Sequence, residues 1–141
     1  KLGREVSFEE LQHCWLGYMK EVPARNLMAL RKLKEQGYRV ILLSNTNPYV
    51  SAWVDSEAFS GDGHSIGDYF DAMYRSYEVK YMKPDENFFR YVLGQEQTMP
   101  EECLFIDDGP RNCCAASELG LFTYCPQNGE DWCDKIYDYL K

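Results

Sequence analysis

Two short apolar runs, each ending abruptly on a polar cluster, constrain this chain more than any other feature. Val40-Ile41-Leu42-Leu43 gives way to Ser44-Asn45-Thr46-Asn47, and Leu104-Phe105-Ile106 gives way to Asp107-Asp108-Gly109. A continuous apolar run suits a strand covered on both faces, as in a parallel sheet. Shorter strands are expected from Ala72 to Ser76 and from Leu121 to Tyr124. Helical patterns fill the spaces between. Ser7-Phe8-Glu9-Glu10 is a capping-box pattern, and Phe8, Leu11, Trp15, Tyr18 and Val22 recur at helical spacing behind it, which predicts a helix to about Met19. Pro23 opens a second helix that carries Leu27, Leu30 and Leu33 on one face and stops at Gly37. Further helices are predicted over Pro48 to Val54, Pro84 to Leu93, Pro110 to Leu119 and Trp132 to Leu140, with a Gly-, Ser- and Asp-rich loop from Ser56 to Gly67. Alternation of this kind predicts an α/β fold, a parallel sheet with helices on both faces.

Composition excludes several function classes. The 141 residues suit one domain, and 45% hydrophobic content allows a core. A formal charge of −8, from 15 Lys and Arg against 23 Asp and Glu, argues against a nucleic-acid footprint. It does not argue against an anionic substrate, because local groups set the field inside a cleft. No apolar stretch approaches the roughly 20 residues of a membrane span, and no signal peptide opens the sequence. A cytoplasmic protein is expected. Cys14, Cys103, Cys113, Cys114, Cys125 and Cys133 show no C-x-x-C pair, and neither His13 nor His64 completes a zinc pattern with them. Buried, reduced thiols are expected. The eleven Tyr and three Trp are read mainly as packing.

In open α/β sheets, ligands bind beyond the carboxyl ends of the strands. At the first such end, Ser44 and Asn45 offer a hydroxyl, a carboxamide and fresh backbone N–H groups to a phosphate oxygen, or they form an ordinary polar turn. At Lys83-Pro84-Asp85, a proline in the first helical turn leaves Lys83 at a helix N-terminus, where a cation opposes the dipole unless an anion joins it. Lys80 competes for that role. At the third end, Asp107 and Asp108 repel each other, so that one pKa rises or a cation joins them. Hard oxygen ligands favour Mg²⁺, whereas the alternative has Asp108 capping the helix that opens near Pro110. A metal, a lysine and a Ser/Asn pair together make a phosphate clamp.

With these segments in this order, the sequence resembles the haloacid-dehalogenase-like hydrolase superfamily, in its phosphatase branch. Val40 to Thr46 looks like the second motif of that family and Lys83-Pro84-Asp85 before Phe88-Phe89 like the third. Leu104 to Asp108, with Asn112 and Ala115-Ala116 behind, looks like the fourth. The resemblance implies a Rossmann-like three-layer sandwich. It implies that Ser44 and Asn45 bind the transferring phosphoryl group, that Lys83 neutralises its charge, that Asp108 ligates Mg²⁺ directly and that Asp107 acts on the ion through water. It also implies that residues 1–22 are the end of a helical cap and its return to a core domain over residues 23–141.

The family's first motif, an Asp-x-Asp closing the first strand, has no counterpart here. Asp55, Asp62, Asp68 and Asp71 do not follow an apolar strand, and 43 residues precede Ser44. The central strand and its nucleophile are therefore expected in a missing N-terminal segment, supplied by a complementing piece or by a longer gene product. On this reading the function is Mg²⁺-dependent hydrolysis of a small phosphorylated metabolite, with sugar phosphates among the candidates, through an aspartyl-phosphate. This stretch alone is expected to be inactive. The alternative is a non-catalytic relative, or a fragment, that binds a phosphorylated ligand or a protein partner.

Overall fold

A computed structural model describes residues 4–17, 22–127 and 129–140. It divides into two compact units, Lys1–Tyr77 and Glu78–Lys141. Among the described residues, four strands form two parallel pairs, one pair in each unit.

In the first unit, helix α1 (Phe8–Leu16) opens on the expected capping box. The Ser7 hydroxyl accepts from Glu10 N at 3.2 Å, and the Glu10 carboxylate accepts from Ser7 N at 3.0 Å. The predicted extension through Tyr18 to Met19 lies outside the described residues. Helix α2 (Ala24–Glu35) buries Leu27 and Leu33. Gly37, at φ +90°, ends it: Tyr38 N reaches back to Leu33 O and Gly37 N to Lys34 O, so orphan carbonyls of the last turn are satisfied. Strand β1 (Ile41–Ser44) pairs in parallel with β2 (Ala72–Arg75), from Ile41 opposite Ala72 to Ser44 opposite Arg75. Asp71 starts the ladder by accepting from Val40 N at 2.8 Å and donating its own N–H to Val40 O at 2.7 Å.

Two expectations need correction here. Strand β1 is half-buried along its length, because it has one strand neighbour and not two. The aromatic stripe of α1 is only partly covered. Phe8 meets Tyr49 of helix α3 (Pro48–Val54) with ring centroids 4.8 Å apart, yet Phe8 and Trp15 remain 45% and 42% exposed. The core of this unit lies elsewhere, around Leu27, Phe59, Ile66 and Tyr69. Phe59 and Ile66 come from the loop read as polar, so that segment contributes to packing. A short helix, α4 (Ser76–Val79), crosses the boundary between the units.

In the second unit, helix α5 (Glu86–Glu96) buries Phe88, Phe89 and Val92 as expected. Strands β3 (Leu104–Ile106) and β4 (Phe122–Tyr124) pair in parallel, and helix α6 (Pro110–Glu118) lies between them in sequence. Phe89 of α5 meets Phe105 of β3 edge-on at 5.1 Å. Gly120, at φ +95°, ends α6 as Gly37 ends α2.

The last predicted helix is not formed. Only Lys135–Asp138 makes a single 3₁₀ turn. Trp, Cys, Asp and Tyr are poor helix formers, and side-chain contacts decide this segment instead. Glu130 accepts from Tyr124 Oη at 3.2 Å and from Gln127 N at 2.8 Å and pairs with Lys135, while Tyr139 stacks on Tyr124 at 4.6 Å.

Candidate functional site

In the first unit, β1 ends on Ser44, level with Arg75. Among the described residues no hydrogen bond engages the Ser44 hydroxyl, and Asn45 beside it is exposed. The turn beyond is fixed at several points. Thr46 N donates to Ser76 Oγ at 3.1 Å, and Ser76 Oγ donates back to Thr46 O at 3.3 Å. Asn47 turns the chain into α3, its Oδ1 accepting from Tyr49 N at 3.0 Å and Val50 N at 3.1 Å. At the far end of α3, Asp55 meets both arms of the Arg75 guanidinium, one of them at 2.8 Å. Arg75 is 8% exposed. Hydrogen bonding to Asp55 holds it above its ordinary pKa against the effect of burial. The polar turn is therefore a held one, and it presents a hydroxyl on a rigid strand end.

In the second unit, Lys83 Nζ lies 2.6 Å from Asp107 Oδ2, and each side chain is 10% exposed. The ammonium also sits 5.6 Å from the centre of the buried Phe105 ring. Lys83 is not at a helix N-terminus, which corrects the sequence reading. Helix α5 begins at Glu86 and is capped by Asp85, whose carboxylate accepts from Asn87 N at 2.9 Å. Lys83 precedes that cap and reaches Asp107 across 24 positions of sequence. Lys80, the competing lysine, is exposed and holds a positive φ of 69°.

Asp107 is the centre of this cluster. Its Oδ2 takes Lys83, while its Oδ1 accepts from Gly109 N and from Asn112 Nδ2, both at 2.8 Å. Burial pushes the carboxyl up, but Lys83, Asn112 and the Gly109 N–H outweigh it and leave Asp107 below its ordinary value. The repulsion expected between neighbouring carboxylates is thus relieved by the protein's own cation. Behind Asp107, Cys113 Sγ donates to the Asp107 carbonyl at 3.1 Å. Burial first, and then the neighbouring Cys125 thiol, push Cys113 up to about 12. Cys113 therefore stays a neutral donor and not a nucleophile.

Asp108 differs from its neighbour in every respect. It is exposed, and among the described residues no cation or donor is paired with it. It does not cap α6, as one alternative had it. The cap position belongs to Gly109, which has no side chain to contribute, and Asp107 receives the Gly109 N–H.

Several of these contacts have no local signal in the sequence. Ser76 bonds Thr46 across 30 positions and Arg75 bonds Asp55 across 20. Gly109 is hemmed in: a Cβ there would stand 2.8 Å from Asn112 Nδ2 and 2.9 Å from Asp107 Oδ1. A glycine directly after two aspartates at a strand end is the one local signal that could have announced this.

Residues 8–120 match a family model described as haloacid dehalogenase-like hydrolase. The D-ribitol-5-phosphate phosphatase of Bacteroides thetaiotaomicron is 42% identical over 130 residues, spanning 92% of this chain and 63% of that protein. The solved structure of a predicted haloacid dehalogenase-like family hydrolase from Porphyromonas gingivalis is 38% identical with a TM-score of 0.91, over 97% of this chain and 66% of that one. A haloacid dehalogenase family enzyme of Bacteroides thetaiotaomicron, solved in complex with magnesium and inorganic phosphate, is 40% identical with a TM-score of 0.85, over 93% of this chain and 66% of that one. The chain thus spans a little under two thirds of the length of these relatives. The α/β fold with parallel strands expected from the sequence is the fold of these neighbours.

Proposed function

Since this chain belongs to the haloacid dehalogenase-like hydrolases, we propose that it is the larger part of a Mg²⁺-dependent phosphohydrolase acting on a small phosphomonoester. The observation that carries this reading is the division of labour between the two aspartates after β3. The Asp107 side chain is nine-tenths buried and already holds three donors, and Asp108 is exposed without one. A structural turn needs only the first. An exposed carboxylate directly beside a buried, cation-paired one is an arrangement suited to a divalent ion.

The donor set fits Mg²⁺. Among the described residues no group of three or more His, Cys, Asp or Glu could hold a metal. Mg²⁺ asks for less than that, since it is held by one or two carboxylates together with waters and substrate phosphate. Asp108 would be the direct ligand. Asp107 already accepts three donors of the roughly four that a carboxylate can take, so one acceptor site is left for a metal-bound water. When bound, the ion would supply charge stabilisation to a phosphoryl group. Ser44 would donate its hydroxyl to a phosphoryl oxygen, with Asn45 alongside. Lys83, held by Asp107 and Phe105, would neutralise phosphoryl charge. In-line transfer depends mainly on such positioning and charge stabilisation.

The attacking aspartate would belong to a segment preceding residue 1, in line with relatives longer than this chain. Residues 1–22 would close a helical cap, with residues 23–141 part of the core domain. The relative named for D-ribitol 5-phosphate makes polyol and sugar phosphates the first substrates to try. All six cysteines are free, but Cys14, Cys114 and Cys125 are exposed and not buried as the sequence suggests; no helix among the described residues is long and apolar enough to cross a membrane.

The test is phosphate release from D-ribitol 5-phosphate by the full-length protein, with Mg²⁺ supplied and then chelated. Activity should disappear with chelator and in Asp108→Ala. Full activity in Asp108→Ala would remove the metal assignment. Absence of any phosphomonoesterase activity in the full-length protein would remove the whole reading.

A further inference from the structure

The turn after β1 is held by Ser76. Both hydrogen bonds of the Ser76 hydroxyl go to one residue, Thr46, accepting from its N–H at 3.1 Å and donating to its carbonyl at 3.3 Å. A hydroxyl can donate once and accept twice, so this contact uses its only proton. Thr46 lies two residues beyond Ser44, in the middle of the turn. Ser76 directly follows Arg75, and Arg75 is the register partner of Ser44 on the neighbouring strand. Arg75 is itself fixed by its two-armed pair with Asp55. The place of Ser76 relative to Ser44 is therefore set by the sheet ladder, and Ser76 transmits that fixed frame to the turn.

One consequence concerns the donors of the turn. The Thr46 N–H is taken by Ser76, so it is not among the groups that face a substrate oxygen. Stabilisation of the transferring group then falls more heavily on the Ser44 hydroxyl, whose aim depends on the shape of the turn. Without the clamp, Thr46 would turn to water for both backbone partners, and the turn could sample shapes that misdirect Ser44.

We propose that Ser76 is a positioning residue for phosphoryl transfer, holding the Ser44–Asn47 turn through its two bonds to Thr46 so that the Ser44 hydroxyl stays aimed at the transferring group. This inference rests on the phosphohydrolase reading above. The clamp itself consists of neutral groups, while the frame behind it includes the Arg75–Asp55 pair.

The experiment compares Ser76→Ala, Ser76→Thr and Asp108→Ala in the full-length protein, with p-nitrophenyl phosphate and D-ribitol 5-phosphate as substrates, well below the lowest Tm of the set. Displacing an aligned group by a fraction of an ångström to 1 Å costs roughly 10- to 100-fold in rate, so Ser76→Ala should lose that much in kcat. A group aimed at the transition state leaves ground-state binding largely alone, so KM should move by less than about threefold. Ser76→Thr keeps the hydroxyl and should restore kcat, and the Thr46 amide should exchange faster in Ser76→Ala than in either hydroxyl-bearing protein. A kcat in Ser76→Ala within about twofold of the parent would overturn the proposal. So would a loss that Ser76→Thr shares fully, or one that vanishes on cooling, since each marks a merely structural role. If Asp108→Ala is inactive while Ser76→Ala is not impaired, only the positioning role fails. If neither substitution affects the activity, the phosphohydrolase reading fails with it.

Discussion

The turn after β1 is held by neutral groups and the turn after β3 by charges. Ser76 and Asn47 fix the first through a hydroxyl and a carboxamide bonded to backbone. Lys83 and Asp107 fix the second through an ion pair in which both side chains are nine-tenths buried. The difference follows from what each turn presents. A hydroxyl donor at Ser44 needs only a rigid base. An exposed carboxylate at Asp108 sits next to a second carboxylate, and only a cation and several donors make that pairing tolerable. Charge is spent where the turn itself carries charge. The two turns should therefore respond differently to substitution and to pH.

The largest effect is expected from Lys83→Met. Removing one partner of a buried pair strands the other, and the unfolding free energy should fall by about 3 kcal/mol. Denaturant titration at neutral pH measures this. If the protein is the phosphohydrolase proposed above, loss of a preorganised charge should also cost its activity about 100-fold or more. The pH dependence gives a second readout. Asp107 sits below its ordinary 3.8 in the folded protein because its donors outweigh burial. Its contribution to stability is thus fully present above that ordinary value and is lost as pH falls through the lowered, folded one. In Lys83→Met the burial effect loses its main opponent and the folded value rises. Acid unfolding should then begin at a higher pH than in the parent. An unchanged acid limb would show that the ion pair does not govern this turn.

Gly109→Ala probes the same turn without removing a charge. An added Cβ would stand 2.8 Å from Asn112 Nδ2 and 2.9 Å from Asp107 Oδ1, inside the distance that real Cβ atoms keep. Those atoms must move, and they are the partners of one hydrogen bond. Overpacking of this kind should cost about 1–2 kcal/mol. Asp107 would lose part of its donor set, so the acid limb should shift in the same direction as in Lys83→Met and by less. A Gly109→Ala protein as stable as the parent, with an unchanged acid limb, would mean that the turn relaxes freely and is less rigid than its hydrogen bonds imply.

How far the sequence disclosed these two turns depends on the range of the interactions. Strand ends and polar tips are local, so Val40 to Asn47 and Leu104 to Gly109 are legible as strand followed by polar turn. Caps and stops are local too, which is why Ser7, Gly37 and Gly120 behave as read. The ties that make the turns rigid are not local. Lys83 meets Asp107 over 24 positions, and Ser76 meets Thr46 over 30, distances at which a single sequence offers no register. Pro84 resembles a helix opener and so points to a helix end at Lys83, whereas Asp85 supplies the cap and α5 starts one residue after it. The expected helix from Trp132 to Leu140 is replaced by a single 3₁₀ turn. There, stacking of Tyr139 on Tyr124 and the Glu130 contacts override a weak propensity.

The smallest effect, and the one that separates the turns most clearly, belongs to Asn47→Ala. Asn47 Oδ1 satisfies two N–H groups at the start of α3, those of Tyr49 and Val50. Replacing such a cap by alanine costs about 1 kcal/mol. Neither the lost acceptor nor the exposed donors titrate in the ordinary range, so the loss should be the same at pH 4 and pH 7 as measured by urea midpoints. The acid limb should keep the parent's position, because Asp107 and its donors are untouched. A cost that grows on acidification would mean that α3 is also held by the charge on Asp55, through Arg75 at its other end. The neutral turn would then draw on an ion pair after all, and the contrast between the two strand ends would be one of degree.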